Sequence, residues 1–177
     1  DAAFNIRSSR QAISDAEKYP WCYAIVGIHP HDSKELDENA ILQLREMSKH
    51  PKVKGIGEIG LDFYYDRSER DVQRESFRRQ IRLANELKLP IVIHSRDADA
   101  ETMEILREEG AFSSGRQSFF PHRRDEKGKK VPDSRVLIHC YSGSKEMARE
   151  YVKLGATISI CGPVTFKNNR KTSEVAE

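Results

Sequence analysis

Short apolar runs rich in β-branched residues recur at a regular interval along the chain, and this recurrence constrains the fold more than any other feature. Near-continuous apolarity, rather than strict alternation, is typical of strands that are buried on both faces. Each run therefore predicts one strand of a sheet that is covered on both sides. The predicted strands occupy residues 22–28, 53–60, 90–95, 135–140 and 156–162.

Amphipathic segments lie between these runs and predict helices. Ser68 is placed to cap the third of them, and Gly110 and Gly155 are placed to end the last two. Strand and helix thus alternate, which predicts an α/β fold of βαβ units around a parallel sheet. The pattern fits both an open doubly wound sheet and part of a (β/α)8 barrel. The predicted helices cover residues 8–19, 37–49, 68–88, 99–110 and 144–155.

Composition excludes several classes of protein. Of the 177 residues, 37% are hydrophobic and 33% are charged, which fits one globular domain over residues 1–177 and not a disordered chain. No apolar run approaches the ~20 residues of a membrane span, so no membrane partner is expected. The net charge of +2 is too small to argue for nucleic acid by itself. Three cysteines without a CxxC pair favour a reducing compartment, and we predict a cytoplasmic location.

Residues 112–134 interrupt the alternation. The segment is rich in turn residues and in Lys and Arg, and it shows neither a helical nor a strand period. We interpret it as a basic loop insertion that joins a helix to the following strand. In a (β/α) barrel such loops lie on the face opposite the catalytic rim, which favours a solvated insertion over a contact with the DNA backbone.

Chemically active side chains fall where the predicted strands end. Glu58 lies inside a buried run, and His29, His94 and His139 lie at or near the ends of three others. The carboxyl ends of parallel strands meet at one edge, where ligands bind. Imidazole nitrogens and carboxylate oxygens are ligands of divalent metal ions, so the set predicts a metal site. The alternative for each residue alone is structural: a hydrogen-bonded core histidine, or Glu58 paired with Arg96.

Five motifs in order along the chain resemble the TatD family of metal-dependent deoxyribonucleases. They are VGIHPHD, GEIGLDFYYD, RESFRRQIRLANELKLPIVIHSRDA, IHCYSGS and GPVTFKN. The resemblance covers residues 5–177 apart from 112–134. It implies an amidohydrolase-type barrel with a two-metal hydrolytic site. The expected fold is therefore a partial (β/α)8 TIM-type barrel with about five βα units.

The same resemblance implies a role for each matching residue. Glu58 corresponds to the carboxylate that bridges the two metals, and His94 and His139 correspond to ligands of the second metal. Glu58 and His29 are the implied catalytic residues. A further set is implied to lie near the substrate phosphate or around the ligands: His29, His31, Arg96 and Asp62.

The implied function is a phosphodiester hydrolase, a deoxyribonuclease or 3'-5' exonuclease that acts on DNA by a two-metal mechanism. Its implied cofactors are two divalent ions per complete site, Mg²⁺, Mn²⁺ or Zn²⁺. Two alternatives stay open: a hydrolase of the same fold for small esters or amides, and a non-catalytic truncated barrel. An open-sheet nucleotide-binding protein is disfavoured, because neither GxGxxG nor GxxxxGKS/T occurs.

Two parts of the family pattern are missing from the chain. No His-x-His pair precedes His29, and no late strand supplies an aspartate ligand before the chain stops at Glu177. A complete barrel needs roughly 250 residues. We therefore expect an incomplete barrel, as a fragment or a truncated gene product, whose open sheet edges favour self-association.

Overall fold

The structure is a computed structural model that describes residues 1–176. Helices and strands alternate along most of the chain. The helices are α1 (Ile6–Lys18), α2 (Glu38–Met47), α3 (Arg70–Leu87), α4 (Asp99–Glu108), α5 (Ser114–Gln117), α6 (Lys145–Lys153) and α7 (Arg170–Ala176), with 3-10 helices at Pro30–Glu35 and Gly162–Thr165. The strands are β1 (Ala24–Val26), β2 (Val53–Asp62), β3 (Ile91–Arg96), β4 (Arg123–Arg124), β5 (Lys130–Val131), β6 (Val136–Ile138) and β7 (Thr157–Ile158).

Five of these strands form one parallel sheet in the order β1-β2-β3-β6-β7. All five lie within the predicted runs or overlap them, and the parallel α/β sheet is confirmed. The sheet does not close into a barrel over residues 1–176. Ala2 adds a parallel bridge to Ile25, so the start of the chain runs alongside β1.

The core lies on both faces of this sheet, as continuous apolarity predicts. In β2 only Lys54 is exposed, and Glu58 is half-buried. Helix α3 covers one face with Phe77, Ile81 and Ala84, which are fully buried. A strand that is packed on both faces holds its carboxyl end in a fixed position. A site at the edge of the sheet requires such fixed strand ends. No helix within residues 1–176 is long and apolar enough to cross a bilayer.

The predicted helix ends are partly confirmed. Gly110 and Gly155 follow α4 and α6 with φ of 69° and 86°, the left-handed conformation that glycine adopts most readily. The prediction that Ser68 caps α3 is wrong. Glu69 occupies the cap position without a side-chain hydrogen bond, while the buried Ser68 hydroxyl donates to the carbonyl of His31 at 2.9 Å. Ser68 thus ties α3 to the 3-10 helix that follows β1.

Segment 112–134 is more ordered than a loop. It contains the one-turn helix α5 and the antiparallel pair β4–β5. Arg116 is 2% exposed and donates to the carbonyls of Ser134 and Leu89, at 3.0 and 2.8 Å, and to Asn85 Oδ1 at 2.6 Å. Leu89 and Ser134 precede β3 and β6, so Arg116 holds the segment at the amino ends of these strands.

Candidate metal centre

Four strands deliver polar side chains to one edge of the sheet. His29 follows β1, Glu58 lies in β2, His94 lies in β3 and His139 follows β6. Donor atoms of His29, Glu58 and His94 all lie within 4.8 Å of one another. The structure therefore brings together residues separated by up to 65 positions, at the carboxyl ends of parallel strands where ligands bind in such folds.

Glu58 is balanced by imidazoles. Its Oε1 lies 2.5 Å from His139 Nδ1 and 3.9 Å from His94 Nδ1. Arg96, the alternative structural partner, forms no ion pair with Glu58 or any other carboxylate within residues 1–176. The Glu58 side chain is 18% exposed, so the carboxylate is largely buried beside these two histidines.

Asp62 is the buried centre of this arrangement. Its Oδ2 lies 2.9 Å from His94 Nε2 and 3.0 Å from His31 Nε2, and its Oδ1 accepts the backbone N–H groups of Tyr64 and Tyr65. Burial alone raises the pKa of this carboxyl, but the hydrogen bonds from Tyr65 N–H, His94 and His31 outweigh it and lower the pKa below its usual value. Asp62 is therefore ionised at neutral pH.

An ionised Asp62 fixes the tautomer of His94. The carboxylate accepts only, so His94 Nε2 carries the proton and Nδ1 keeps its lone pair. That lone pair lies on the side of Glu58. A histidine held by a carboxylate in this way is the usual arrangement of a metal ligand. The sequence analysis placed Asp62 near the substrate phosphate or around the ligands; in the structure its side chain is only 1% exposed and reaches His94 and His31.

His29 has the same tautomer as His94. Its Nδ1 accepts the backbone N–H of His31 at 3.2 Å, which leaves the proton on Nε2. Burial, with further contributions from the neighbouring His94 and His31, lowers the pKa of His29 to about 3. The ring is thus neutral at pH 7 and offers an N–H donor beside the group formed by Glu58 and His94.

Two glutamines of α3 hold the strand ends that carry these side chains. Gln73 accepts the N–H of Asp62 at 2.9 Å and donates to its carbonyl at 3.2 Å. Gln80 does the same for Ile28, at 2.8 and 2.9 Å. Both glutamines are fully buried, and the sequence analysis missed them. Their spacing of seven residues on one helix face, amid exposed charges, was the available signal.

Gly60 allows β2 and β3 to approach at the site. It pairs with His94 in the parallel register and has a φ of 144°. A Cβ at this position would lie 1.9 Å from the His94 carbonyl oxygen. Any side chain here would separate the two strands and move His94 away from Glu58 and Asp62.

The mouth of the site is aromatic and basic. The Arg96 guanidinium lies 4.0 Å from the Tyr64 ring centroid and 4.7 Å from that of Tyr65. The Tyr65 ring lies 5.5 Å from the ring of His31, which sits in the 3-10 helix after β1. No hydrogen bond from the Arg96 side chain is formed within residues 1–176, so its N–H groups are available. The sequence analysis singled out Arg96 but neither tyrosine.

The donors present suit a divalent metal ion. Glu58 offers carboxylate oxygens and His94 offers the lone pair of Nδ1, while His139, whose Nδ1–H donates to Glu58, keeps the lone pair of Nε2. This is a mixed nitrogen and oxygen set that zinc and manganese accept. An ionised carboxylate behind one imidazole adds the support that such ligands need. The residues of this edge therefore fit a metal centre.

Comparison with known proteins gives one consistent family. The family model described as TatD related DNase matches residues 2–177. The chain is 41% identical over 167 residues to the "Uncharacterized metal-dependent hydrolase YabD" of Bacillus subtilis, covering 94% of this chain and 58% of that protein. It is 31% identical over 158 residues to the "3'-5' ssDNA/RNA exonuclease TatD" of Cronobacter turicensis, covering 89% of this chain and 52% of the relative.

A solved structure supports the fold. The crystal structure of YjjV, a TatD homolog from Escherichia coli, superposes with a TM-score of 0.79 at 26% identity, covering 98% of this chain and 60% of that one. The chain thus spans a little over half the length of the relatives and of the structure it matches.

Proposed function

Because the chain belongs to the TatD-related DNase family of metal-dependent hydrolases, we propose that it acts in the hydrolysis of phosphodiester bonds in DNA, as a deoxyribonuclease or 3'-5' exonuclease. The observation that carries this proposal is the hydrogen bond from His94 to the buried Asp62. It prepares His94 as a ligand next to Glu58. Both residues lie at the carboxyl ends of the strands, where parallel α/β folds have their active sites. The name of the Cronobacter relative supports nucleic acid as the substrate.

In this proposal Glu58, His94 and His139 would hold the divalent metal in the complete site. When bound, the metal supplies Lewis acidity and lowers the pKa of a bound water toward neutrality. Asp62 keeps the Nδ1 lone pair of His94 directed at the site. Gln73 fixes the backbone of Asp62, so the carboxylate is held on two sides.

The substrate side is formed by His29, His31 and Arg96. His29 stays neutral at pH 7 and donates its Nε2–H to a non-bridging phosphate oxygen. Arg96, which forms no ion pair with a carboxylate in residues 1–176, offers its positive charge to the same phosphate. The negative phosphodiester thus meets donors on one side and the metal ligands on the other.

The decisive experiment substitutes Glu58→Gln, which keeps the shape of the side chain but removes its charge. We expect Mn²⁺ binding, measured by calorimetry, and Mn²⁺-dependent degradation of an end-labelled single strand to fall at least about 100-fold. Glu126→Gln, an exposed change in segment 112–134, is the matched control and should alter neither measurement.

The outcomes separate the alternatives. Undiminished degradation by the Glu58→Gln protein would remove Glu58 from the mechanism. A chain that binds Mn²⁺ through Glu58 but degrades no DNA would contradict the nuclease proposal and favour the non-catalytic alternative. Faster turnover of a small aryl ester than of the DNA strand would instead favour the small-ester alternative.

A further inference from the structure

Two tyrosines stand next to the metal centre with their rings in solvent. Tyr64 is 58% exposed and Tyr65 is 50% exposed, and their ring centroids lie 5.0 Å apart. Both backbone N–H groups donate to Asp62 Oδ1, at 3.1 and 2.8 Å. The same carboxylate that orients His94 therefore fixes the backbone from which these two rings project.

The rings continue the site outward. The His29 ring lies 4.5 Å from that of His94 and 4.4 Å from that of His31, and His31 lies 5.5 Å from Tyr65. An unbroken row of aromatic rings thus leads from the donor group to the exposed tyrosines.

Positive charge accompanies the rings. The Arg96 guanidinium packs on both tyrosines, and the Arg67 guanidinium lies 5.4 Å from the Tyr65 centroid. Proteins that bind single-stranded nucleic acid combine exposed aromatic faces, on which bases stack, with cations that meet the backbone. Exposed aromatic rings alone, or cations alone, do not identify a ligand. Both of them next to the proposed phosphodiester site point to single-stranded nucleic acid.

We propose that Tyr64 and Tyr65, whose ring planes stand at 86° to each other, form a platform in which one ring stacks on an unpaired base next to the phosphodiester held at the metal centre. The inference rests on the proposed function and adds the residues that contact the base. Bases within a duplex stack on each other and present no free face, so a base on this platform comes from an unpaired strand, the form that the name of the Cronobacter relative gives. Tyr64 and Tyr65 are thereby assigned as specificity-determining residues.

The test measures binding without hydrolysis, in excess chelator, by fluorescence anisotropy. The probes are a labelled ten-nucleotide oligothymidylate and an abasic strand of the same length and charge. In the double variant Tyr64→Ala/Tyr65→Ala we expect oligothymidylate to bind roughly 5- to 150-fold more weakly for each base that loses its stacking. Binding of the abasic strand should be unchanged, because its phosphates remain.

Two further variants keep the proposal falsifiable. Tyr64→Phe/Tyr65→Phe retains both rings and should bind oligothymidylate within about twofold of the unchanged protein. Tyr19→Ala/Trp21→Ala removes another exposed aromatic pair, which precedes β1 at the opposite edge of the sheet, and should have no effect. Equal losses for the abasic and thymidine strands, or a loss in this control pair equal to that of the tyrosines, would overturn the platform.

The result is independent of catalysis. A protein that shows the base-dependent loss but never cleaves DNA would refute the proposed hydrolysis and leave the platform standing. A protein that cleaves DNA with normal affinity after loss of both rings would refute the platform alone.

Discussion

The molecule buries one charge at each edge of its sheet, Asp62 at the carboxyl edge and Arg116 at the amino edge, and the two are satisfied in different ways. Asp62 accepts hydrogen bonds from two histidines and two backbone N–H groups. Arg116 donates to two carbonyls and one amide oxygen, all neutral, and burial lowers its pKa only to about 10, so it stays charged. No carboxylate within residues 1–176 pairs with it.

The comparison teaches how to tell a structural buried charge from a functional one. The partners of Arg116 are neutral carbonyl and amide oxygens of the fold, which are neither acids, bases nor candidate metal ligands. Its hydrogen bonds therefore serve only to hold the fold together. The partners of Asp62 include His94, whose second nitrogen lies 3.9 Å from Glu58 Oε1. A buried charge that is hydrogen-bonded to histidines of a candidate metal centre therefore indicates a functional site, whereas one that is hydrogen-bonded only to neutral groups of the fold indicates a structural role.

Among substitutions of the two buried charges, Arg116→Met should give the largest effect. It should lower the stability of the fold without changing metal binding. Three buried acceptors lose their donor at about 1–3 kcal/mol each, while the desolvation cost of the guanidinium disappears. We expect the free energy of unfolding in urea to fall by about 2–4 kcal/mol, with Mn²⁺ affinity of the folded protein unchanged. Arg135→Ala, which breaks a surface pair with Asp133, should cost less than about 1 kcal/mol. A loss of metal affinity in the Arg116 variant would contradict the distinction between a structural and a functional buried charge.

Asp62→Asn should give the opposite result, a loss of metal affinity rather than mainly a loss of stability. The amide does not hold two imidazoles in the orientation that the carboxylate sets, so Mn²⁺ affinity should fall about 10- to 100-fold, or about 1.4–2.7 kcal/mol. The calorimetric titration that measures it should show no comparable change for Asp133→Asn at the opposite edge. An Asp62 variant with full metal affinity would make this carboxylate a structural group like Arg116.

The smallest effect should come from the basic residues of the β4–β5 turn. Lys127, Lys129 and Lys130 are exposed, and their replacement by alanine should change stability by less than about 0.5 kcal/mol. The salt dependence of single-strand binding should also stay the same, whereas Arg96→Ala should reduce its slope by about 0.7, the value for one phosphate. A reduction in the triple variant as large as that of Arg96→Ala would place the turn on the substrate path and contradict a solvated insertion.

Much of this architecture follows from local patterns. Apolar runs locate each strand of the five-stranded sheet. The rule that parallel strands present their carboxyl ends at one edge then brings Glu58, His94 and His139 together before any contact is known. The segment at His29 belongs to the same edge for the same reason. The hydrophobic periodicity of a segment and the position of a residue within it are short-range properties of the chain. They can therefore be read from a single sequence.

The pairings within the site depend on long-range geometry that periodicity does not encode. The strand β2 extends two residues beyond its predicted end, and only that extension carries Asp62 into line with His94. Ser68 resembles a helix cap, but the 3-10 helix after β1 lies close enough to take its hydroxyl. The buried Arg116 is hidden among the charges of an apparently solvated segment, since its three acceptors come from residues 18 to 31 positions away.

The tie made by Arg116 also offers a place to engineer the protein. Beyond it the β4–β5 turn is closed by its own contacts, with Asp125 Oδ1 accepting the N–H groups of Lys127 and Lys129. Because Arg116 joins the segment to the amino edge, extra sequence spliced between Asp125 and Gly128 would project away from the strand ends that carry the chemistry. A fluorescent reporter or an affinity module could be carried there, on a handle that the molecule already supplies.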